Sequence, residues 1–112
     1  MTSEVRASPV LPVTDLDRAL AHYAALGFTT SRHDDTYGFA AWSGLELHLT
    51  LDPDAPGAEV YLHVPDADVV ASSWAGPGTT TPTPKTWGVR EGSHVDPDGN
   101  LLRFGSPLAS AG

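Results

Sequence analysis

Ser8-Pro-Val-Leu-Pro-Val-Thr-Asp15 and Glu59-Val-Tyr-Leu-His-Val-Pro-Asp66 decide the fold, because they read as one stretch written twice. A shift of 51 positions, from Ser8 to Glu59, superposes Leu11 on Leu62, Val13 on Val64, Asp15 on Asp66 and Asp17 on Asp68. The same shift superposes Tyr23 on Trp74 and Gly27 on Gly78. Self-similarity at a fixed spacing marks a repeated supersecondary unit. Each copy reads as a strand, a short polar junction, a helix and a glycine stop.

The first helix follows the junction. Thr14 or Asp15 can cap its free N–H groups, and the negative charges of Asp15 and Asp17 suit the positive helix start. Leu16, Ala19, Leu20, Tyr23 and Leu26 recur at helical spacing, and Gly27 supplies a left-handed stop. The second helix starts near Asp66, buries Ala67, Val70, Ala71 and Trp74, and ends around Gly76-Pro-Gly78. Three strands are expected after the first helix, at about 28–33, 37–42 and 45–51. Residues 52–57 link the copies. After the second helix, residues 78–85 are rich in Thr and Pro and read as a loop or a ragged edge strand. Strands are expected at 90–95 and 100–105, joined by the Asp96-Pro-Asp-Gly99 turn, with a frayed tail from Ser106 onward. That turn resembles a calcium loop only in its first residues. It lacks the later carboxylates, and a tight hairpin explains it better.

Strand parity assigns the faces, because alternate side chains point to opposite sides of a sheet. Leu45, Leu47, Leu49 and Leu51 share the face that packs on the helices, as do Val60, Leu62 and Val64, and Leu102 and Phe104. Glu46, His48 and Thr50 fall on the other face, as do Glu59, Tyr61 and His63, and Leu101 and Arg103. The face turned away from the helices is therefore polar and aromatic, which suits a cleft better than a second core. Trp42 and Trp74 fall on the helix-packed side. His22 falls on the exposed part of the first helix and is expected to be solvated.

Composition narrows the function. A chain of 112 residues fits one compact domain, taken as 1–112 with repeats at about 5–51 and 58–105. It has no cysteine, which excludes a disulfide scaffold, a thiolate zinc site and a cysteine nucleophile. Acidic residues outnumber basic ones 14 to 6, for a net charge of −8. No basic stripe exists, so nucleic acid is a poor partner, and a cationic ligand is favoured over an anionic one. No signal core or apolar span is visible, and a cytoplasmic location is expected. The five histidines, at 22, 33, 48, 63 and 94, form no spaced metal motif. No phosphate loop or nucleophile elbow is present.

Two segments carry a family resemblance: Pro12-Val-Thr-Asp-Leu-Asp-Arg-Ala-Leu-Ala-His-Tyr23 with Leu26-Gly-Phe28, and Trp87-Gly-Val-Arg-Glu91 with Asp96-Pro-Asp-Gly-Asn-Leu-Leu-Arg-Phe104. With the βαβββ duplication, they resemble the glyoxalase/bleomycin-resistance/dioxygenase (vicinal oxygen chelate) superfamily, and its bleomycin-resistance branch in particular. The resemblance runs from about 8 to 107. It implies an α+β fold: two βαβββ repeats form a cupped mixed sheet with helices on the outer face. It also implies a homodimer with an exchanged N-terminal strand, for which Pro9 sits at the hinge position.

The resemblance further implies where a metal is held in the enzymes of the superfamily. Carried onto this chain, the four positions are Ser8, His48, Glu59 and Arg103. A catalytic centre needs about three protein ligands and an open position. Serine is a poor ligand, and the arginine stays protonated and repels a cation. No metal and no cofactor are therefore expected, and an Arg103–Glu59 ion pair is the plainer use of both side chains. In the bleomycin-binding branch, two aromatic side chains sandwich the planar part of the drug across the dimer. Their counterparts are Tyr37, with Phe39 as the fallback, and Trp87. Tyr61, His63, His48, Glu59 and Arg103 complete the expected ligand-binding set. Asp34, Asp35, Glu46 and Glu59 could supply negative charge to a cationic antibiotic, although turn solvation explains Asp34 and Asp35 as well. The expected function is non-catalytic sequestration of a bleomycin-type antibiotic, giving drug resistance. The rival readings are a metal-dependent lyase, isomerase or dioxygenase, and a scaffold or sensor without a small ligand.

Overall fold

A computed structural model describes residues 4–108. The elements are β1 (Val10–Val13), α1 (Leu16–Ala25), β2 (Thr29–Arg32), β3 (Tyr37–Trp42), β4 (Leu45–Leu51), β5 (Glu59–His63), α2 (Ala67–Ser73), β6 (Thr83–Pro84), β7 (Val89–Val95) and β8 (Leu101–Pro107). They form two four-stranded sheets, ordered β1-β4-β3-β2 and β5-β8-β7-β6. In each sheet the first strand of the repeat runs parallel to the last, and the remaining pairs are antiparallel. The expected α+β fold of two βαβββ units is the fold observed, with one mixed sheet per unit. Within the chain, β1 pairs with its own β4. Among the described residues, no helix is long and apolar enough to cross a membrane.

The duplication extends to backbone angles. Asp15 caps α1 at φ −149°, ψ 110°, and Asp66 caps α2 at φ −151°, ψ 108°. Asp15 Oδ1 accepts from the Arg18 amide, and Asp66 Oδ1 accepts from the Asp68 and Val69 amides. Gly27 (φ 105°) and Gly78 (φ 91°) occupy the left-handed region after each helix, where a side chain is disfavoured. At Gly78 a Cβ would also lie 2.6 Å from the Val95 carbonyl oxygen.

Strand register makes the repeat exact enough to pair individual residues. Val10 lies opposite His48 in the first sheet, and Tyr61 lies opposite Arg103 in the second. Phe39 lies opposite His48, and Ser93 lies opposite Arg103. His48 and Arg103 are thus counterparts, as the sequence alignment expected. Continuing along the ladders, Tyr37 opposes Thr50 and Glu91 opposes Gly105, so Tyr37 and Glu91 are counterparts too.

The core lies on the helix side of both sheets. Leu11, Val13, Leu47 and Leu49 of the first unit and Leu102 and Phe104 of the second are fully buried, with Tyr23 and Trp74 from the helices. Trp74 packs 5.6 Å from Phe28 and 5.2 Å from Trp42, measured between ring centroids, so the core is continuous across the repeat boundary. Burying large aromatic rings there contributes most of the cohesion available to a chain this short.

A polar seam reinforces that boundary. Asp98 Oδ1 accepts from the Thr14 amide and hydroxyl and from Arg18 Nη2, at 2.7–2.8 Å. These bonds and Arg18 outweigh burial and hold the Asp98 carboxyl below its ordinary range. Tyr23 Oη donates to buried Asp96 Oδ2 at 2.7 Å, and Asn100 Nδ2 donates to the same oxygen and to the Pro12 carbonyl. The 96–99 turn is therefore a clamp on the first repeat as well as a tight hairpin.

Two sequence expectations are corrected here. His22 is half-buried, not solvated: its Nε2 lies 2.8 Å from Nε2 of fully buried His94, with the rings stacked at 5.0 Å. The tail does not fray at Ser106, because β8 continues to Pro107 opposite Val89. Ser106 is buried, and its Oγ accepts from the Ala67 amide at the start of α2. That bond satisfies a helix N–H that has no partner within the helix. Residues 109–112 of that tail lie outside the described residues.

Candidate functional site

Odd-numbered β3 residues and even-numbered β4 residues turn away from the helices, because their neighbours Gly38, Ala40, Leu47 and Leu49 occupy the core side. Tyr37, Phe39, Glu46 and His48 therefore share the open face of the first sheet. Tyr37 Oη lies 2.8 Å from His48 Nδ1, and His48 Nε2 lies 2.9 Å from Glu46 Oε1. The Phe39 ring stands edge-on to His48 at 5.0 Å and to Tyr37 at 5.7 Å. Tyr37 and Phe39 were alternatives in the sequence, but they are neighbours on one face. Nearby, Asp34 Oδ1 accepts from the Thr36 amide and hydroxyl. These bonds hold its carboxyl below the ordinary range, as the turn reading of Asp34 requires.

The second sheet carries Glu59, Tyr61, Glu91 and Arg103 on its corresponding face. Arg103 Nε and Nη2 donate to the two oxygens of Glu91 at 3.0 and 3.3 Å, a bidentate fork. Arg103 Nη1 reaches Glu59 at 3.5 Å. The expected Arg103–Glu59 pair is present, but Glu91 holds the guanidinium more closely. Burial pushes the Glu91 carboxyl up, and Arg103 more than offsets this, leaving it below its ordinary value. The guanidinium carbon sits 5.1 Å from the centroid of the Tyr61 ring, within cation–π range. Burial, then Glu91, push the Tyr61 hydroxyl up. Tyr61 in turn packs 5.1 Å from exposed His63.

Trp87 stands at the tip of a tight turn closed by Lys85 N–H donating to the Val89 carbonyl, with Gly88 at φ 87°. It is 58% exposed. Tyr37 lies on the first sheet and Trp87 in the turn between β6 and β7 of the second, and no ring contact joins them among the described residues. A cavity of about 680 Å³ runs along the free edge of β5, lined by Trp42, Leu45, Tyr61, His63 and Val69 among others. It takes in Tyr61 and His63 but not Tyr37, His48, Trp87 or Arg103.

Glu91 was missed as a site residue. The signal was available: it lies on the same parity of β7 as Ser93, directly across the ladder from Arg103. The donor set does not fit a catalytic metal. Ser8 precedes β1, Arg103 is cationic and locked by two carboxylates, and both His48 ring nitrogens already have partners. Among the described residues, no group of three His, Asp or Glu side chains is arranged to hold a metal ion.

No protein-family model matches the chain, and no curated protein sequence matches it. Solved structures do. A bleomycin resistance determinant encoded on the transposon Tn5 is 27% identical, with a TM-score of 0.79 over 95% of this chain and all of that one. A bleomycin-binding protein solved in complex with bleomycin is 26% identical, with a TM-score of 0.79 over 94% of this chain and all of that one. A glyoxalase/bleomycin resistance protein from Catenulispora acidiphila is 27% identical, with a TM-score of 0.77 over 94% of this chain and all of that one. The chain thus has the fold of the bleomycin resistance proteins, and its structural neighbours are these proteins and members of the glyoxalase/bleomycin-resistance/dioxygenase family.

Proposed function

We propose that this protein binds a bleomycin-type or related antibiotic and sequesters it unchanged in the cytoplasm, in a cleft completed by a second copy of the chain. One observation carries the reading: three of the four positions that would hold a metal are tied up, His48 in a hydrogen-bond relay and Glu59 and Arg103 in an ion-pair network, beside partly exposed aromatic side chains. Arg103 with Glu59 and Glu91 leaves no vacant ligand field. Trp87, Tyr37, Phe39 and Tyr61 offer flat area at low entropic cost. Likeness to a bleomycin-binding protein in complex with its drug supports the ligand class. Exposed Val10, Trp87 and Val95 give a second chain apolar surface to cover, and the two half-faces then complete each other, Tyr37 from one chain and Trp87 from its partner.

The test is a fluorescence titration with bleomycin. The wild type is expected to show quenching of Trp87 against a background from fully buried Trp74 and partly buried Trp42. In Trp87→Ala the ligand-dependent change disappears while thermal stability moves by less than about 0.5 kcal/mol, because the side chain is exposed. The drug is recovered at unaltered mass. Absence of binding across bleomycin and a panel of cationic planar antibiotics would refute the proposal. The rival, a metal-dependent enzyme, has only His48 and Glu59 as candidate ligands among the four positions. It requires metal retained on purification and lost in His48→Ala.

A further inference from the structure

We infer that Glu46, His48 and Tyr37 form a polarised relay that presents the Tyr37 hydroxyl as a hydrogen-bond acceptor, and so selects ligands carrying a protonated amine with N–H donors. The inference rests on the proposed binding function and specifies which end of the ligand the first sheet takes.

The polarity follows from the order of the groups. An ionised carboxylate only accepts hydrogen bonds. Glu46 Oε1, 2.9 Å from His48 Nε2, therefore requires the proton to sit on Nε2. In a neutral imidazole the other nitrogen is then bare and accepts. Tyr37 Oη, 2.8 Å from Nδ1, must donate its single proton to it. The tyrosine oxygen is left with lone pairs only. Whatever meets it on the open face has to bring the proton.

The surroundings make the same demand. Phe39 stands T-shaped against both rings, so the acceptor lies beside a further aromatic side chain. Glu46 adds a negative charge, and within this group no cation neutralises it while His48 is neutral. The second sheet differs at the counterpart positions: Glu91 and Arg103 replace Tyr37 and His48 and satisfy each other. The two halves of the cleft are therefore not equivalent. The first takes a donor, and the second offers a guanidinium-on-tyrosine platform whose charge is already compensated.

The experiment separates hydrogen-bond selection from simple charge attraction. Three probes share one planar ring: tryptamine, its N,N,N-trimethyl derivative and N-acetyltryptamine. Affinities are measured by NMR shift perturbation in weakly alkaline buffer, and long-range ¹⁵N–¹H spectra report which His48 nitrogen carries the proton. The wild type is expected to show the Nε2–H form and to bind tryptamine about tenfold more tightly than the trimethyl cation, which keeps the charge and the indole N–H but has no donor on its ammonium. Tyr37→Phe retains the ring and should compress that preference to within about twofold. Glu46→Gln acts through His48 and should compress it as well, with the His48 signal shifting toward a mixture of tautomers. A wild-type His48 protonated on Nδ1 overturns the inference without any ligand. Equal binding of tryptamine and its trimethyl derivative overturns it too, while leaving the sequestration reading intact if bleomycin still binds. If no probe and no bleomycin bind, both readings fall together.

Discussion

Lowering the pH from 7.5 to 5 should remove about 2 kcal/mol of stability through one imidazole in the repeat seam. Thr79 Oγ1 donates to the Trp74 carbonyl at 2.6 Å, so its oxygen must accept from His94 Nδ1–H at 2.7 Å. His94 Nε2 is then an acceptor, and His22 Nε2–H, 2.8 Å away, is its donor. A second proton on His94 would set two N–H groups against each other inside a fully buried site. Burial, and then His22, push the His94 pKa down to about 4 from 6.5. Between those values the unfolded chain binds a proton that the folded chain does not, so stability falls as pH drops from 6.5 toward 4 and is lost no further below that. The full interval is worth about 3 kcal/mol, and about 2 kcal/mol of it is lost by pH 5. His22 is also lowered, chiefly by burial, and adds to the loss with the same sign. Asp34, Glu91 and Asp98, whose pKa values are lowered, release their stabilisation only at more acid pH, so the window belongs to the histidines. Urea unfolding at half-unit pH steps measures the loss, with His94→Gln as control, since its pH profile should be flatter. An unchanged unfolding free energy between pH 7.5 and 5, or parallel profiles for the two proteins, would refute the proton-ordered chain.

Other substitutions probe the polar networks. Arg103→Met leaves the Glu91 carboxylate, 8% exposed, without its cation and should cost about 2 kcal/mol in urea unfolding. Adding Glu91→Gln should recover part of that loss, and a double variant no better than the single one would deny the coupling. Tyr23→Phe removes one of the donors to buried Asp96 Oδ2 and should cost about 1–2 kcal/mol. A cost near zero would mean that water replaces the hydroxyl.

Much of this molecule was legible before any coordinates. The 51-residue shift predicted equal helix caps, and Asp15 and Asp66 adopt backbone angles within a few degrees of each other. Parity placed His48, Tyr61 and Arg103 on the open faces because a strand has only two faces and one was visibly apolar. What failed depended on partners far along the chain. His22 sits one position from Tyr23 on the helix, where periodicity says "surface"; its partner His94 is 72 residues away, and local pattern carries no sign of it. Ser106 looked frayed because Ser, Pro and Ala carry little strand propensity, yet the free N–H of Ala67 gives it a fixed role. Glu91 went unnoticed because it was read within a motif instead of by its place on the ladder.

The pairing of Tyr37 with Glu91 and of His48 with Arg103 bears on how a metal site could be built on this fold. Each sheet presents the same diagonal of positions. On the first it is closed by a hydrogen-bond relay, and on the second by an ion pair. On the second, the ligand set is blocked only because one residue is a permanent cation. Arg103→His would place an imidazole beside two carboxylates, Glu59 and Glu91, that the guanidinium now neutralises. Two carboxylates and a histidine supply the three ligands that a zinc ion needs, with a fourth position left to water. Relieving repulsion between the two carboxylates would favour cation capture further. The variant should compete for zinc against a chromophoric chelator at least about tenfold better than the wild type, since the wild type must first break a bidentate pair to offer the same oxygens. Equal zinc affinity in the two proteins would show that Glu59 and Glu91 do not converge on position 103. The case against metal chemistry would then rest on Ser8 and on the occupied nitrogens of His48.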